Sequence, residues 1–180
     1  MKPVAFEYCR PDTVEEALEL LKEFGSDASI ISGGLSLGAM LNMRLVRPKA
    51  LIDINGIDEL GNFDAGDATI RTGTLIRQAG AMAMPALMSG VPLLAKALPH
   101  VGHYQTRSRG TLGGSVAHAD PSAEIPLTLV TLSGAVTLRS PGGSREVPAR
   151  EFFQGLLTTD RRADELVTGL TWPIRRGQTG

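Results

Sequence analysis

Two glycine pairs, each followed closely by a serine, are the residues of this sequence whose types and spacing best suit a chemical task. The first glycine segment, residues 31–37, starts on a short apolar run and contains Gly33-Gly34. The second glycine segment, residues 110–115, contains Gly113-Gly114. Glycine lets another group come close to the backbone, and successive loop N–H groups can form a nest for an anion such as phosphate. One such pair is equally typical of a plain turn after a strand, but the second pair favours an anion site.

The two glycine segments can be combined into one site. Two Gly-Gly loops from separate lobes could face each other and clamp a diphosphate with backbone amides, with the hydroxyl groups of Ser36, Thr111 and Ser115 as further donors. A long ligand held in this way would extend between the lobes, where cofactor sites are common. The sequence has neither a GxxxxGK[ST] loop nor a GxGxxG turn after its first strand, so a nucleotide would bind in another geometry.

Polar residues around the second glycine segment have competing interpretations. Arg107 and Arg109 could pair with phosphate, although arginines of surface loops are commonly solvated. Asp120 is explained by a helix N-cap. Glu124 lies one turn further on and is not needed as a helix cap, which favours a contact between its side chain and a ribose hydroxyl. His118 fits either a structural or a ligand-contacting role.

Other chemistry has weak support in the sequence. The histidines, His100, His103 and His118, show no HExxH spacing, and Cys9 is the only cysteine, so neither a zinc site nor an iron–sulfur cluster is expected. No Gly-x-Ser-x-Gly elbow marks an activated serine. We therefore predict no metal ligand and no catalytic side chain in this chain.

Composition restricts the class of protein further. The formal net charge is −1 and aromatic residues make 4% of the chain, which argues against a nucleic-acid surface. No apolar run reaches the length of a membrane span, and the first residues lack the apolar core of a secretory signal, so a cytoplasmic protein is expected. The 21 glycines and 11 prolines favour a loop-rich α+β fold over a helix bundle.

The elements that must position the first glycine segment are predicted within residues 1–55, a small N-terminal α/β lobe. Apolar spacing predicts a helix that starts at Val14 after an Asp12-Thr13 cap and ends at Gly25. Strands are expected at 28–31 and 51–54, with a helical segment at 37–45 between them.

A second lobe, residues 56–180, is predicted to carry the second glycine segment. Thr74 is expected to cap a helix that Pro85 ends, residues 100–109 are expected to form a polar loop, and Asp120-Pro121 is expected to open a helix. The remaining expected elements are strands at 68–72, 135–139, 145–147 and 165–172, and helices at 92–98 and 151–157.

The sequence also resembles a known protein family. Residues 32–37 (SGGLSL), together with 43–48 (MRLVRP) and 51–54 (LIDI), resemble the first FAD-binding segment of the molybdenum hydroxylase flavoproteins, the medium subunits of the xanthine dehydrogenase and carbon monoxide dehydrogenase family. Residues 107–115 (RSRGTLGGS) and 117–124 (AHADPSAE) resemble the second segment. The similarity extends from about Phe6 to Pro173.

The resemblance implies a two-lobed PCMH-type FAD-binding fold of the α+β class, with a larger mixed-sheet second lobe. It implies that FAD lies between the glycine segments, that Val101 lies near the flavin, that Glu124 holds a polar part of the cofactor and that Val167 packs against it. The implied FAD contacts are Ser32, Gly33, Gly34, Leu35, Ser36, Leu37, Val101, Thr111, Gly113, Gly114, Ser115, Glu124 and Val167.

The resemblance also implies a function. In this family a large subunit oxidises the substrate at a molybdenum cofactor, and [2Fe–2S] clusters on a small subunit pass electrons to FAD on the medium subunit and then to an external acceptor. The chain is thus expected to be the FAD-binding electron-transfer subunit, without the family's usual C-terminal domain. The alternatives are a flavin-poor docking remnant and a stand-alone FAD oxidoreductase.

Overall fold

The first helix shows how local sequence sets the elements of this chain, of which a computed structural model describes residues 2–174. Helix α1 (Val14–Phe24) begins where Thr13 Oγ1 accepts a hydrogen bond from the amide of Glu16, 3.2 Å away. It ends at Gly25, whose φ of 53° lies in the left-handed region that favours glycine. The helix buries its apolar face, Val14, Ala17, Leu18 and Leu21, as the spacing predicts.

The N-terminal part is built on a three-stranded parallel sheet. Its strands are β1 (Glu7–Cys9), β2 (Ala28–Ile31) and β3 (Ala50–Asp53), in the order β1-β3-β2. Helix α2 (Leu35–Asn42) lies between β2 and β3 in the chain. Buried residues of α1 and β3 share one apolar core with Ile57, Leu60 and Leu166.

A five-stranded sheet forms the larger part. In chain order its strands are β4 (Phe63–Ala65), β5 (Thr69–Gly73), β6 (Ala135–Ser140), β7 (Gly143–Pro148) and, after the small sheet of β8 (Phe153–Gly155) and β9 (Thr158–Thr159), β10 (Leu166–Pro173). The order across the sheet is β4-β5-β10-β6-β7, and every described pairing is antiparallel. The buried indole of Trp172 on β10 donates a hydrogen bond to Thr72 Oγ1 on β5, at 2.9 Å.

The helices that pack on this sheet come mostly from the long connection between β5 and β6. They are α3 (Gln78–Met82), α4 (Pro85–Gly90), α5 (Pro92–Ala97), α6 (Tyr104–Arg109), α7 (Leu112–His118) and α8 (Glu124–Thr131), with α9 (Ala149–Phe152) following β7. Their apolar residues form the larger core, in which Leu94, Leu112, Ile125 and Leu129 are fully buried. Among residues 2–174, no helix combines the length and the apolar character needed to cross a membrane.

The predicted α+β class is confirmed by helices and three sheets in the described residues, and the larger sheet pairs its described strands antiparallel. The division into lobes at residues 55 and 56 stays a prediction. The predicted helix at 151–157 ends at Phe152 and continues as β8.

Residues 100–109 are predicted to form a polar loop, but their second half forms helix α6. Its stabilising contacts are local and polar: Arg107 Nη1 donates to the carbonyl oxygens of Val101 and Gly102 at 3.0 and 2.9 Å, and Ser108 donates to that of Tyr104. A search for apolar periodicity does not detect a helix held in this way.

Two predicted helix starts are also wrong. Thr74 is not a cap, because α3 begins only at Gln78. Pro85, predicted to end a helix, is instead the first residue of α4. Asp120 does not cap α8, which starts at Glu124; its carboxylate accepts hydrogen bonds from the amide and hydroxyl of Ser122 at 2.8 and 2.7 Å.

Candidate functional site

A cavity of about 400 Å³ lies where the two glycine segments meet. Except for Glu124, all of the residues predicted to contact FAD line it: Ser32, Gly33, Gly34, Leu35, Ser36, Leu37, Val101, Thr111, Gly113, Gly114, Ser115 and Val167. Glu124 is the first residue of α8 and is not part of this lining. Two stretches that are far apart in the chain therefore form one site.

The two glycine segments touch each other directly at one side of the cavity. Ser32 Oγ and Thr111 Oγ1 are 3.2 Å apart and share a hydrogen bond. A Cβ atom added to Gly33 would lie 2.5 Å from the carbonyl oxygen of Arg109 and 2.9 Å from Cα of Gly110. Glycine at position 33 is thus needed for the approach of the two backbones, independently of any ligand.

A polar network fixes this junction from behind. Asn55 Nδ2 donates to the carbonyl oxygen of Ser32 at 2.8 Å, and Asn55 Oδ1 accepts from Arg77 Nη2 at 2.6 Å. The other terminal nitrogen of Arg77 donates to the carbonyl oxygen of Arg109. One asparagine and one arginine therefore connect the backbones that enter both glycine segments.

Asp53 orients this asparagine. Its Oδ1 accepts from the Asn55 amide at 2.9 Å and from Asn55 Nδ2 at 2.5 Å, while its Oδ2 accepts from the Tyr8 hydroxyl at 2.5 Å. Burial by itself would raise the pKa of Asp53, but the hydrogen bonds from Tyr8 and Asn55 favour the charged form and hold the pKa below its ordinary value. A carboxylate therefore anchors the network at neutral pH.

The first glycine segment presents free amides. Gly34 has a φ of 72°, and α2 starts at the next residue without a side-chain cap. The first intrahelical bond runs from the amide of Gly38 to the carbonyl of Gly34. Within the described part of the chain, the amides of Leu35, Ser36 and Leu37 have no acceptor. These residues form the first turn of α2, which starts at Leu35 and not at residue 37 as predicted. Free N–H groups at a helix N-terminus favour an anion.

The amides of the second glycine segment are already used. Helix α7 starts at Leu112, so the expected loop is a helical turn capped by Thr111. The amides of Leu112 and Gly113 donate to the carbonyls of Ile76 and Thr74 at 2.9 and 3.1 Å. Those of Gly114 and Ser115 donate to Oγ1 and to the carbonyl of Thr111 at 2.9 and 3.2 Å. The hypothesis of an amide clamp from both sides is therefore corrected: residues 112–115 offer one hydroxyl group, that of Ser115, and close packing.

That packing explains the glycines of the second segment. A Cβ atom at Gly113 would lie 1.8 Å from Thr74 Oγ1 and 2.6 Å from Thr74 Cα. A Cβ atom at Gly114 would lie 2.7 Å from Thr111 Oγ1 and 2.8 Å from Ser32 Oγ. Both positions are closed to a side chain by the protein itself.

The cavity also contains polar residues that sequence reasoning missed or left open. Gln78 is 5% exposed, and its Oε1 is a buried oxygen without a hydrogen-bond partner in the described structure. Arg161 lines the cavity from the connection between β9 and β10, which carries no motif. His118 and Asp120 line it as well, whereas Arg107 and Arg109 do not. No sequence signal marks Gln78 or Arg161, because each is brought to the cavity only by the tertiary fold.

Among residues 2–174, no group of three or more histidine, cysteine, aspartate or glutamate side chains is arranged to hold a metal ion.

Comparison with known proteins identifies relatives along nearly the whole chain. Residues 4–175 match the family described as FAD binding domain in molybdopterin dehydrogenase. The chain is 40% identical over 173 residues to the 6-hydroxypseudooxynicotine dehydrogenase complex subunit alpha of Paenarthrobacter nicotinovorans, covering 96% of this chain and 58% of that subunit. It is 36% identical over 180 residues to the carbon monoxide dehydrogenase medium chain of Hydrogenophaga pseudoflava, covering 100% of this chain and 63% of that one.

A solved structure agrees with these relatives in backbone geometry. A chain of quinoline 2-oxidoreductase from Pseudomonas putida 86 superposes with a TM-score of 0.95 at 37% identity, covering 98% of this chain and 61% of that chain. The present chain thus spans less than two thirds of the length of each of these proteins.

Proposed function

The chain belongs to the family of FAD-binding domains found in molybdopterin dehydrogenases, and we propose that it binds FAD in the cavity between its glycine segments. The observation that carries the proposal is the first turn of α2: Leu35, Ser36 and Leu37 line that cavity, and their amides have no acceptor in the described residues. FAD carries a diphosphate between two ring systems, and a helix N-terminus beside a partly apolar cavity suits such a molecule.

Each lining group has a proposed task. The amides of residues 35–37 would bind the diphosphate, and the hydroxyl groups of Ser36 and Ser115 would add donors. Val101 and Val167 would pack against the rings, and Glu124 remains a predicted contact to a polar part of the cofactor. Gln78 would pair its free Oε1 with a donor of the ligand or a bound water. When bound, FAD supplies reversible one- and two-electron redox chemistry.

We propose further that the chain is the FAD-binding, electron-transfer component of a multi-subunit flavoprotein oxidoreductase. Its partners would be a large subunit with the molybdenum cofactor and a small subunit with [2Fe–2S] clusters, and it would pass electrons to an external acceptor. The family description and relatives named as medium chain or subunit alpha support this proposal. The cytoplasmic location stays a prediction.

Titration of the purified 180-residue chain with FAD tests the cofactor proposal. We expect quenching of flavin fluorescence and a rise in melting temperature, because a ligand that binds only the folded state stabilises it. Ala117→Trp adds bulk on an exposed residue inside the cavity and should weaken binding at least about tenfold; Ala86→Trp makes the same change on an exposed residue of α4 outside it and should not. A wild-type chain that neither quenches nor is stabilised by FAD would refute the proposal.

Affinity purification of the chain from its native cells tests the subunit proposal. We expect a large subunit that contains molybdenum and a small subunit with the absorbance of [2Fe–2S] clusters. Oxidation of a small molecule by the isolated FAD-loaded chain, with neither partner bound, would instead favour the stand-alone oxidoreductase.

A further inference from the structure

We propose that Arg161 supplies the positive charge that binds the diphosphate of FAD, an inference that rests on the proposed function. Arg161 lies between β9 and β10, and its side chain lines the same cavity as the free amides of α2. Neither glycine segment contributes a charged side chain to this lining. A guanidinium group would therefore complement donors that carry only partial charge.

The guanidinium of Arg161 is held firmly at one nitrogen and leaves the others available. Nη1 donates to the carbonyl oxygens of Glu165 and Arg162, at 2.7 and 3.0 Å. Within residues 2–174, the structure gives Nη2 and Nε no acceptor. Arginine has five N–H donors in a rigid fork, so the fixed nitrogen orients a group that can still bind phosphate through the remaining donors.

The charge of Arg161 has no ion-pair partner in the described part of the chain. The nearby carboxylate of Glu165 is 2% exposed and is occupied by Arg145, whose Nε and Nη2 donate to it at 2.6 and 2.8 Å. Glu165 does not line the cavity; the carboxylate that does, Asp120, accepts from Ser122. Arg161 is thus a cation without a carboxylate contact, in a cavity proposed to take a dianion.

Burial makes this charge unfavourable without a partner. Desolvation lowers the pKa of Arg161, although the charges of Glu165 and Asp164 oppose the shift. Arginine remains protonated in proteins, so the desolvation is compensated by binding an anion and not by losing the proton. The planar guanidinium can bind phosphate oxygens through two parallel hydrogen bonds.

The experiment compares three variants of the 180-residue chain. Arg161→Met keeps the apolar stem and removes the charge, and Arg161→Lys keeps the charge. Arg162→Met is the matched control, because Arg162 is exposed and does not line the cavity. The dissociation constant for FAD is measured by fluorescence quenching between about 50 and 500 mM NaCl, and the melting temperature of each FAD-free variant shows whether it folds.

We expect Arg161→Met to bind FAD about 10- to 100-fold more weakly, because a charge-assisted hydrogen-bond pair is lost. Arg161→Lys should recover part of the affinity, and Arg162→Met should match wild type within about twofold. The affinity of wild type should fall more steeply with salt than that of Arg161→Met. If Arg161→Met does not fold, Arg161→Lys takes its place, because lysine retains the charge but not the planar guanidinium. Its FAD affinity should then be lower than that of wild type, with a similar dependence on salt.

Equal FAD affinity of Arg161→Met and Arg162→Met would overturn the assignment. Weaker binding with an unchanged salt dependence would also overturn it, because the guanidinium would then act on an uncharged part of the ligand. A wild-type chain that binds no FAD refutes the proposed function; inorganic pyrophosphate, titrated into the same variants, then tests Arg161 separately. Pyrophosphate binding that is lost only in Arg161→Met would retain the assignment, and its absence in wild type would end it.

Discussion

The two glycine segments share a Gly-Gly sequence and a helix start but differ in what their amides do. In the first segment, residues 35–37 line the cavity and their amides have no acceptor in the described structure. In the second, the amides of residues 112–115 all donate to protein oxygens. The same residue types thus leave donors unpaired in one place and provide close packing in the other. The role of a glycine motif depends on the hydrogen-bond partners of its amides and not on its amino-acid sequence alone.

The physical origin of the difference lies in the neighbouring elements. Helix α2 starts directly after Gly34, three residues beyond the end of β2, and none of the described carbonyls accepts from the amides of its first turn. Helix α7 starts beside the connection from β5 to α3, where the carbonyls of Thr74 and Ile76 accept its first amides. We therefore propose the first segment as the anion-binding side of the cavity and the second as its closely packed wall.

Replacing Gly113 by alanine should have the largest effect. The added Cβ would lie 1.8 Å from Thr74 Oγ1, so we expect a loss of about 3 kcal/mol or more in the free energy of unfolding, measured by urea denaturation. Gly38→Ala is the matched control, because Gly38 also lies in a helix and, apart from its own helix backbone and chain neighbours, no described atom lies within 4 Å of its added Cβ. It should stabilise the chain by about 0.5–1 kcal/mol. Equal stability of the two variants would contradict the role of the second segment as a packed wall.

Replacing Gly33 by alanine tests the junction of the two segments. The added Cβ would lie 2.5 Å from the carbonyl oxygen of Arg109, so the backbones must separate. We expect a loss of about 1–3 kcal/mol in stability and a weaker FAD affinity by calorimetric titration. Gly61→Ala, whose new Cβ has no described atom within 4 Å apart from the local backbone, should bind FAD like wild type. A Gly33→Ala variant with wild-type stability would show that the junction is loose.

Acid should weaken the network behind the first segment. Because the pKa of Asp53 is lowered from 3.8, its carboxylate stabilises the fold fully above that value, and the contribution is lost as the pH falls through the lower folded-state value. Asp53→Asn should therefore be about 1 kcal/mol less stable than wild type at pH 7. The difference should shrink below pH 3.8. Stability is measured by urea denaturation at each pH, with Asp64→Asn as the control, because Asp64 is exposed on β4. A stability difference for Asp53→Asn that grows on acidification would contradict the proposed network.

The smallest effects concern single hydroxyl groups. The second segment can reach the ligand only through side chains at residues 112–115, whereas the first uses its backbone. Ser115→Ala should therefore weaken FAD binding by about three- to tenfold, and Ser36→Ala by less than about threefold. The dissociation constants of both variants, measured together, check this order. The reverse order would show that the first segment depends on its side chain.

The sequence predicted the parts of the fold that depend on local chemistry. The Thr13 cap, the Gly25 stop and the apolar face of α1 are all encoded within a few residues. Helix α6 was missed because its polar residues bond to nearby carbonyls without an apolar stripe. Threonine commonly caps helices, but tertiary packing places Thr74 against Gly113 instead.

For the candidate site, the sequence identified both glycine segments but not their unequal roles. The occupied amides of α7 depend on the carbonyls of Ile76 and Thr74, which no motif connects to residues 112–115. Gln78 and Arg161 reach the cavity only in the folded chain. Contacts between residues distant in sequence are what the pattern of a single sequence does not encode.

Amide hydrogen exchange, followed by NMR with and without FAD, tests the central claim most directly. In the FAD-free chain, the amides of Leu35, Ser36 and Leu37 should exchange rapidly, and those of residues 112–115 should be protected. FAD should slow exchange at residues 35–37 by at least about tenfold and change residues 112–115 little, because their donors are already paired. Equal gains in protection in both segments, or a gain confined to residues 112–115, would contradict the assignment of the first segment as the anion-binding side.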